Sequence, residues 1–208
     1  MRSIVLATNN LGKVREFNAV LAGHDLELVA QSAFDTPEIE ETGLTFVENA
    51  ILKARNAARH TGLPALADDS GLCVDALDGA PGVISARYAG VCADDRLNIA
   101  RLLNELRHTP AEQRTARFHC VLALLRHPAD PTPLIFQADW EGMITFEPYG
   151  SGGFGYDPVF LVLDEGQTAA ELDPAVKNRL SHRAQALGQL LRALAAGGLD
   201  HGARAAAG

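Results

Sequence analysis

Long apolar runs are missing from this 208-residue chain. None approaches the roughly 18 residues that a membrane-spanning helix requires, so no membrane association is expected. Cysteine is scarce: Cys73, Cys92 and Cys120 are odd in number, widely spaced and without a Cys-x-x-Cys pair. That excludes a disulfide framework and a zinc–thiolate site, and points to reduced thiols in a cytoplasmic setting. The opening stretch Met1 to Ala7 carries one positive charge and is cut off by Thr8-Asn9-Asn10, too short for a signal peptide and better read as a first strand. The serine-hydrolase patterns G-x-S-x-G and S-x-x-K do not occur, nor do internal repeats.

Lysine is rarer still. Of 18 basic residues only Lys13, Lys53 and Lys177 are lysine and the rest are arginine. Where composition favours arginine, a retained lysine marks a place that a planar guanidinium fork would not serve. Positive charge is also in deficit, with 26 acidic residues and a formal net charge of -8. Such a surface repels a polyanionic backbone, which argues against polymeric DNA or RNA as partner and leaves room for a small anion bound locally with a divalent metal.

What is present is ordinary globular material: 47% hydrophobic, 21% charged, with mean hydropathy near zero at +0.01. A chain of this length buries roughly 70% of its unfolded surface, as one domain or two small lobes. The pattern predicts a strand over 2–7, a polar loop over Thr8–Lys13 and a helix over 14–21. A strand from Leu26 and an acidic loop over 34–42 follow. Thr45-Phe-Val-Glu48 is a capping box opening a helix to about Arg59, closed by Gly62 and Pro64. Short strands at 63–67 and 72–74 flank Asp68-Asp69-Ser70-Gly71, and a glycine-containing loop over 78–90 leads to a helix over 95–106. Strands at 117–125, 134–140 and 143–146 are expected to be antiparallel, with a turn at Glu141-Gly142. A final helix starts after Ser181 and ends near Ala195. The fold class read from this is α/β, a mixed twisted sheet with flanking helices, bent into two lobes around a central cleft, with residues 1–196 as one domain and 197–208 as a disordered tail.

Several segments carry chemistry. Gly12-Lys13 sits between strand and helix but lacks the Walker pattern, since Ala7 stands where glycine and Val14 where Ser or Thr is needed; backbone N–H groups and a lysine at a helix start still suit an anion. Lys53 lies away from the wet face of its helix, either snorkelling past its neighbours or serving a cleft. Gly150-Ser-Gly-Gly-Phe-Gly155 matches a dinucleotide fingerprint formally, but no helix follows. It is either a glycine-rich turn with core aromatics or a place where backbone approaches a flat ligand. Carboxylates at Glu40-Glu41 and Asp68-Asp69, without His or Cys beside them, suit a hard cation such as Mg²⁺.

Taken in order, Thr8-Asn-Asn-Leu-Gly-Lys13, Glu41-Thr-Gly-Leu-Thr-Phe-Val-Glu-Asn-Ala50 with Lys53, Asp68-Asp-Ser-Gly71, Gly79 to Tyr88, Gly152-Gly-Phe-Gly-Tyr-Asp157 and Ser181-His-Arg183 resemble the inosine triphosphate pyrophosphatase family. The resemblance implies a homodimer that, with Mg²⁺, splits the α–β phosphoanhydride of ITP, dITP or XTP. It implies that Thr8, Asn9, Asn10, Leu11, Gly12 and Lys13 hold the phosphates and that Glu41 and Asp69 ligate the metal. Asp69, with Asp68, would orient or deprotonate water, and Ser70, Lys53 and Lys177 would contact the polyphosphate. Phe154, Gly155, Tyr156 and Asp157 would clamp the base, and His182 and Arg183 would read its edge. Asn9 departs from the glycine of many relatives. Two other classes share parts of this logic: a Maf-like pyrophosphatase for other modified nucleotides, and a non-catalytic nucleotide sensor that would not need Asp69. A nicotinamide oxidoreductase rests only on the glycine match.

Overall fold

The computed structural model describes residues 2–24, 26–92 and 94–197. Strands β1 (Arg2–Leu6), β2 (Leu26–Ala30) and β3 (Ala65–Val74) alternate with helices α1 (Leu11–Leu21) and α2 (Phe46–Thr61). Helix α3 (Asp95–Glu105), strands β4 (Thr115–Leu125), β5 (Leu134–Ile144), β6 (Phe160–Val162) and β7 (Gln167–Thr168), and helices α4 (Pro174–Leu180) and α5 (His182–Ala195) follow. The seven strands form one sheet in the order β2-β1-β3-β4-β5-β6-β7. β1 runs parallel to β2, with Arg2 opposite Leu26 and Leu6 opposite Ala30, and parallel to β3, with Val5 opposite Ala65. β6 is antiparallel to β5 and β7. The expected mixed α/β sheet is therefore present. None of the described helices is long and apolar enough to cross a membrane.

The chain divides into two compact units. The first comprises residues 1–69, 121–138 and 183 onward. Its core sets Val5, Ala65, Ala67, Val121, Ala123 and Leu125 from the strands, with Ala7 just after β1, against Ala50, Ala54, Ala57 and Ala58 of α2. Four alanines on one helical stripe let α2 lie close on the sheet, since no larger side chain holds the backbones apart. The helix begins as its sequence demands: the Thr45 hydroxyl accepts from the Glu48 N–H, the Glu48 carboxylate returns to the Thr45 N–H at 2.9 Å, and Gly62 closes it at φ +69°.

The second unit comprises residues 70–120 and 139–182. Leu72, Val74, Leu102, Leu106, Phe118, Trp140 and Phe160 lie in its core, where Phe118 and Phe160 rings stand 4.5 Å apart. Arg114 is fully buried there, with no carboxylate partner among the described residues. Its guanidinium instead donates to the carbonyls of Leu106, Ile144 and Thr145, each at 2.9 Å.

Four expectations are corrected. The acidic pair is not in a loop between two short strands, because 65–74 is one strand. The turn at Glu141-Gly142 does not exist either, because β5 runs unbroken through both residues. Gly142 is needed for close approach: a Cβ there would meet the Leu161 carbonyl oxygen at 2.5 Å and the Phe160 ring at 2.6 Å. Helix α1 starts at Leu11, so half of the expected Thr8–Lys13 loop is helical, and the unforeseen α4 precedes the last helix, with Ser181 between them. The tail expected from 197 lies, beyond Gly197, outside the described residues. Gly142→Ala should lower unfolding free energy by about 1–3 kcal/mol in urea titrations, the usual cost of overpacking. A turn glycine with ordinary φ would tolerate alanine at no such cost.

Candidate active site

In the first unit the site begins where β1 hands over to α1. Asn10 caps the helix, its Oδ1 accepting from the N–H groups of Gly12 at 2.8 Å and Lys13 at 3.1 Å. The Thr8 hydroxyl accepts from the Asn10 N–H at 3.2 Å. Two of the N–H groups that the sequence offers to an anion are thus already held by Asn10. Asn9 is tied on both sides, donating to Glu38 at 2.6 Å and accepting from Gln31 at 3.0 Å. Leu11 is exposed and Lys13 leans from the first turn of α1 towards β3.

There it meets Asp68. Side chains alternate along a strand, so the adjacent Asp68 and Asp69 leave β3 on opposite faces. Asp68 follows Leu66, and its Oδ1 pairs with Lys13 while its Oδ2 accepts from Arg183 Nε at 2.8 Å. Arg183 also pairs through Nη1 with Glu16 on α1. Burial works against the Asp68 charge, but Arg183 and Lys13 overcome it and hold the carboxyl well below the usual carboxylate range. With both oxygens engaged by cations, Asp68 stays ionised and is poorly suited to accept a proton.

Asp69 follows Ala65 and Ala67 on the α2 face. Its Oδ1 accepts from Lys53 Nζ at 2.6 Å, and the same ammonium donates to Glu41 Oε1 at 2.9 Å. Asp69 Oδ2 is buried and has no hydrogen-bond partner among the described residues. Burial pushes the Asp69 carboxyl above its ordinary value, and Lys53 offsets this only in part. Burial also opposes the Lys53 charge, but Asp69 and Glu41 outweigh it, so the ammonium is held above its ordinary value. Glu41 reaches this point from an acidic loop shaped by Gly43. The Gly43 N–H donates to Asn49 Oδ1 at 2.8 Å, and a Cβ on Gly43 would meet Glu48 Cβ at 2.6 Å.

Two carboxylates bridged by a lysine, one with a buried unsatisfied oxygen, suit a hard divalent cation that takes its remaining ligands from phosphate and water. Among the described residues no three His, Cys, Asp or Glu side chains gather as a complete metal cluster.

In the second unit Ser70 continues β3, half-buried. The glycine segment closes on Asp157, whose Oδ2 accepts from the Phe154 N–H at 2.8 Å and from Lys177 Nζ at 2.6 Å. Gly153 stands at φ +73°, where a Cβ would overlap that carboxylate, so only glycine fits. Lys177 Nζ also lies 5.1 Å from the Phe154 ring centroid. Tyr156 faces inward, its hydroxyl donating to the Ser85 carbonyl at 2.9 Å, and burial pushes its pKa up. His182 is buried, with its ring stacked 4.9 Å from Phe118 at 11°.

The structure therefore brings together Lys13, Asp68 and Arg183, then Glu41, Lys53 and Asp69, and then Phe154, Asp157 and Lys177. Sequence reasoning missed Glu16 and Asn49. Glu16 could have been found from its i+3 spacing to Lys13, which puts both on one face of α1. Asn49 stands as a polar interruption of the apolar face of α2.

Asp68→Asn should destabilise the fold by about 3–5 kcal/mol near neutral pH, because Lys13 and Arg183 lose their buried counter-charge. The folded pKa of Asp68 lies below its ordinary 3.8, so its stabilisation is complete above that value and is lost as pH falls towards the folded pKa. Urea unfolding at neutral pH and at about pH 3 should therefore show the gap between wild type and variant narrowing in acid.

Comparison with known proteins shows the family of the chain. Residues 4–193 match the model of the Ham1 family. The dITP/XTP pyrophosphatase of Shigella flexneri is 59% identical over 194 residues, covering 93% of this chain and 98% of that protein. The enzyme of the same name from Xanthomonas oryzae is 60% identical over 190 residues, covering 91% and 96%. Among solved structures, a HAM1 protein from Coxiella burnetii superposes with a TM-score of 0.88 at 52% identity, covering 94% of this chain and all of its own. The Staphylococcus aureus Ham1 protein does so at 0.83 and 41% identity, covering 95% and 100%. With residues 4–193 matched by the family model and its fold matched by solved members, this chain belongs to the Ham1 family.

Proposed function

We propose that this protein is a nucleoside triphosphate pyrophosphatase that hydrolyses dITP, ITP and XTP to the monophosphate and pyrophosphate, removing deaminated purines from the nucleotide pool. What supports the reading is the membership of the family, with relatives named dITP/XTP pyrophosphatase at up to 60% identity, together with one observation in the site. That observation is the buried Oδ2 of Asp69, which has no hydrogen-bond partner among the described residues, beside Lys53 and Glu41.

In this reading Asp69 orients the attacking water and takes its proton as the water oxygen bonds to the α phosphorus. The bond from that phosphorus to the α–β bridging oxygen breaks, and pyrophosphate leaves. A carboxylate whose pKa is raised by burial is a better base than an ordinary one, and Lys53 keeps it oriented. Glu41 and Asp69 would hold Mg²⁺, which when bound neutralises phosphate charge as it shifts in the transition state. Lys13, Lys53 and Lys177 with Ser70 and the Thr8–Lys13 segment would contact the polyphosphate, Asp68 serving to hold Lys13. Such terms together must supply at least ~8 kcal/mol for a typical enzymatic acceleration.

For the base, the proposal assigns Phe154 to Asp157, with Phe154 as the aromatic surface, and His182 with Arg183 at its edge. Hypoxanthine presents an O6 acceptor where adenine presents an N6 donor, so a donor there accepts the first and is left unmatched by the second. The remaining parts of the reading are a cytoplasmic homodimer, with both units in one catalytic domain.

Pyrophosphate release from ITP, XTP, dITP, GTP, ATP, dUTP and dTTP, with Mg²⁺ and with EDTA, tests the proposal. Metal-dependent release confined to the inosine and xanthosine nucleotides is expected. Release from the pyrimidines alone would point to Maf-like chemistry, and binding without release to a sensor. Asp69→Asn should lower kcat by about two to four orders of magnitude while the thermal midpoint stays close to that of wild type. In the wild-type enzyme kcat/KM should fall as pH drops through the raised pKa of Asp69, because only the ionised carboxylate takes a proton.

A further inference from the structure

Within the segment 152–157 the neighbours of Gly155 are fixed by bonds already described, Phe154 through Asp157 and Tyr156 through the Ser85 carbonyl. Gly155 itself, at φ +62°, directs its N–H to Oδ2 of Asp95, 2.7 Å away in the first turn of α3. Helix α3 does not require this carboxylate. Its cap is the preceding residue, Asp94, which accepts from the Leu97 N–H at 2.8 Å. The core does not require it either, since Asp95 is exposed.

The platform that carries Asp95 is rigid. Asn98, one turn further along α3 and buried, donates to the Ala86 carbonyl at 3.1 Å and accepts from the Ala89 N–H at 2.8 Å. Ser85 belongs to the same turn, where its hydroxyl donates to the Gly82 carbonyl at 2.6 Å and accepts from the Leu72 N–H at 2.9 Å. Gly155 and Tyr156 are thus anchored side by side on one assembly of α3 and the 82–87 turn. A charged acceptor makes the Gly155 bond stronger than a neutral one would.

We propose that Asp95 is a positioning residue for base recognition: by holding the Gly155 N–H it fixes the backbone beside Phe154, and so the ring that meets the base. The inference rests on the reading that Phe154 contacts the base. It assigns Asp95 no part in phosphate binding or in the bond-breaking step.

The test compares Asp95→Ala and Asp95→Asn with wild type in steady-state ITP hydrolysis and in inhibition by inorganic pyrophosphate, a probe that has the phosphates and lacks the base. Asp95→Ala should raise KM for ITP about five- to tenfold, the value of one such hydrogen bond, with kcat and the pyrophosphate inhibition constant unchanged. Asp95→Asn keeps an acceptor oxygen and should restore most of the KM. An unchanged KM in Asp95→Ala, or a pyrophosphate inhibition constant that rises in parallel with it, overturns the inference alone. No pyrophosphate release from ITP by the wild-type protein overturns the underlying reading and this inference with it.

Discussion

Two carboxylates on adjacent residues of a buried strand set the terms for the first unit. A buried carboxylate must be met by cations or hydrogen-bond donors, and two of them side by side on β3 point in opposite directions, so one partner cannot serve both. Asp68 draws Lys13 from α1 and Arg183 from α5, and Arg183 in turn draws Glu16. Asp69 draws Lys53 from α2, and Lys53 draws Glu41 from the loop before it. The two are not equally well met. Asp68 is saturated and stays ionised, whereas Asp69 keeps a buried oxygen with no partner among the described residues and a raised proton affinity. In the proposed reading that inequality gives them different work, one holding a lysine in place and the other meeting water and metal.

The second unit solves a similar problem with one carboxylate. Asp157 is buried and joins the Phe154 backbone to Lys177 through a single oxygen, while Gly153 is forced by the space this leaves. Rigidity comes from other buried polar groups nearby. Tyr156 is bonded to the Ser85 carbonyl, and Tyr88 is paired with Glu105, with burial and that carboxylate pushing its phenol up to about 12. Two side chains that the sequence reading offers to a ligand are also tied to the protein: the Tyr156 hydroxyl is held in the interior, and the His182 ring packs on Phe118. A segment built this way presents few moving parts, which suits the base recognition proposed for it.

Much of this was legible from residue order. The capping box at Thr45 and the closing Gly62 marked α2 at both ends, because helix termini must satisfy their own backbone groups locally. The three lysines were conspicuous against an arginine-rich background, and all three sit on carboxylates in the structure. The turn proposed at Glu141-Gly142 failed because a glycine reads the same whether it bends a chain or admits a neighbouring strand. Only the position of β6 tells the two apart. The division of β3 into two short strands failed for a related reason, since an acidic pair resembles a loop until cations from distant helices neutralise it.

What the sequence by itself determined is local: the alternation of strands and helices, the helix caps, the set of residue types able to bind phosphate and a hard cation, and the family those motifs announce. What only the tertiary structure decided is which charge meets which. Arg183 lies 115 positions from Asp68, Gly155 lies 60 from Asp95, and Lys177 lies 20 from Asp157. No spacing rule spans such distances. The opposite shifts of Asp68 and Asp69 follow from such pairings, because a proton affinity is set by burial and by neighbouring charge, neither of which is a property of an aspartate in isolation.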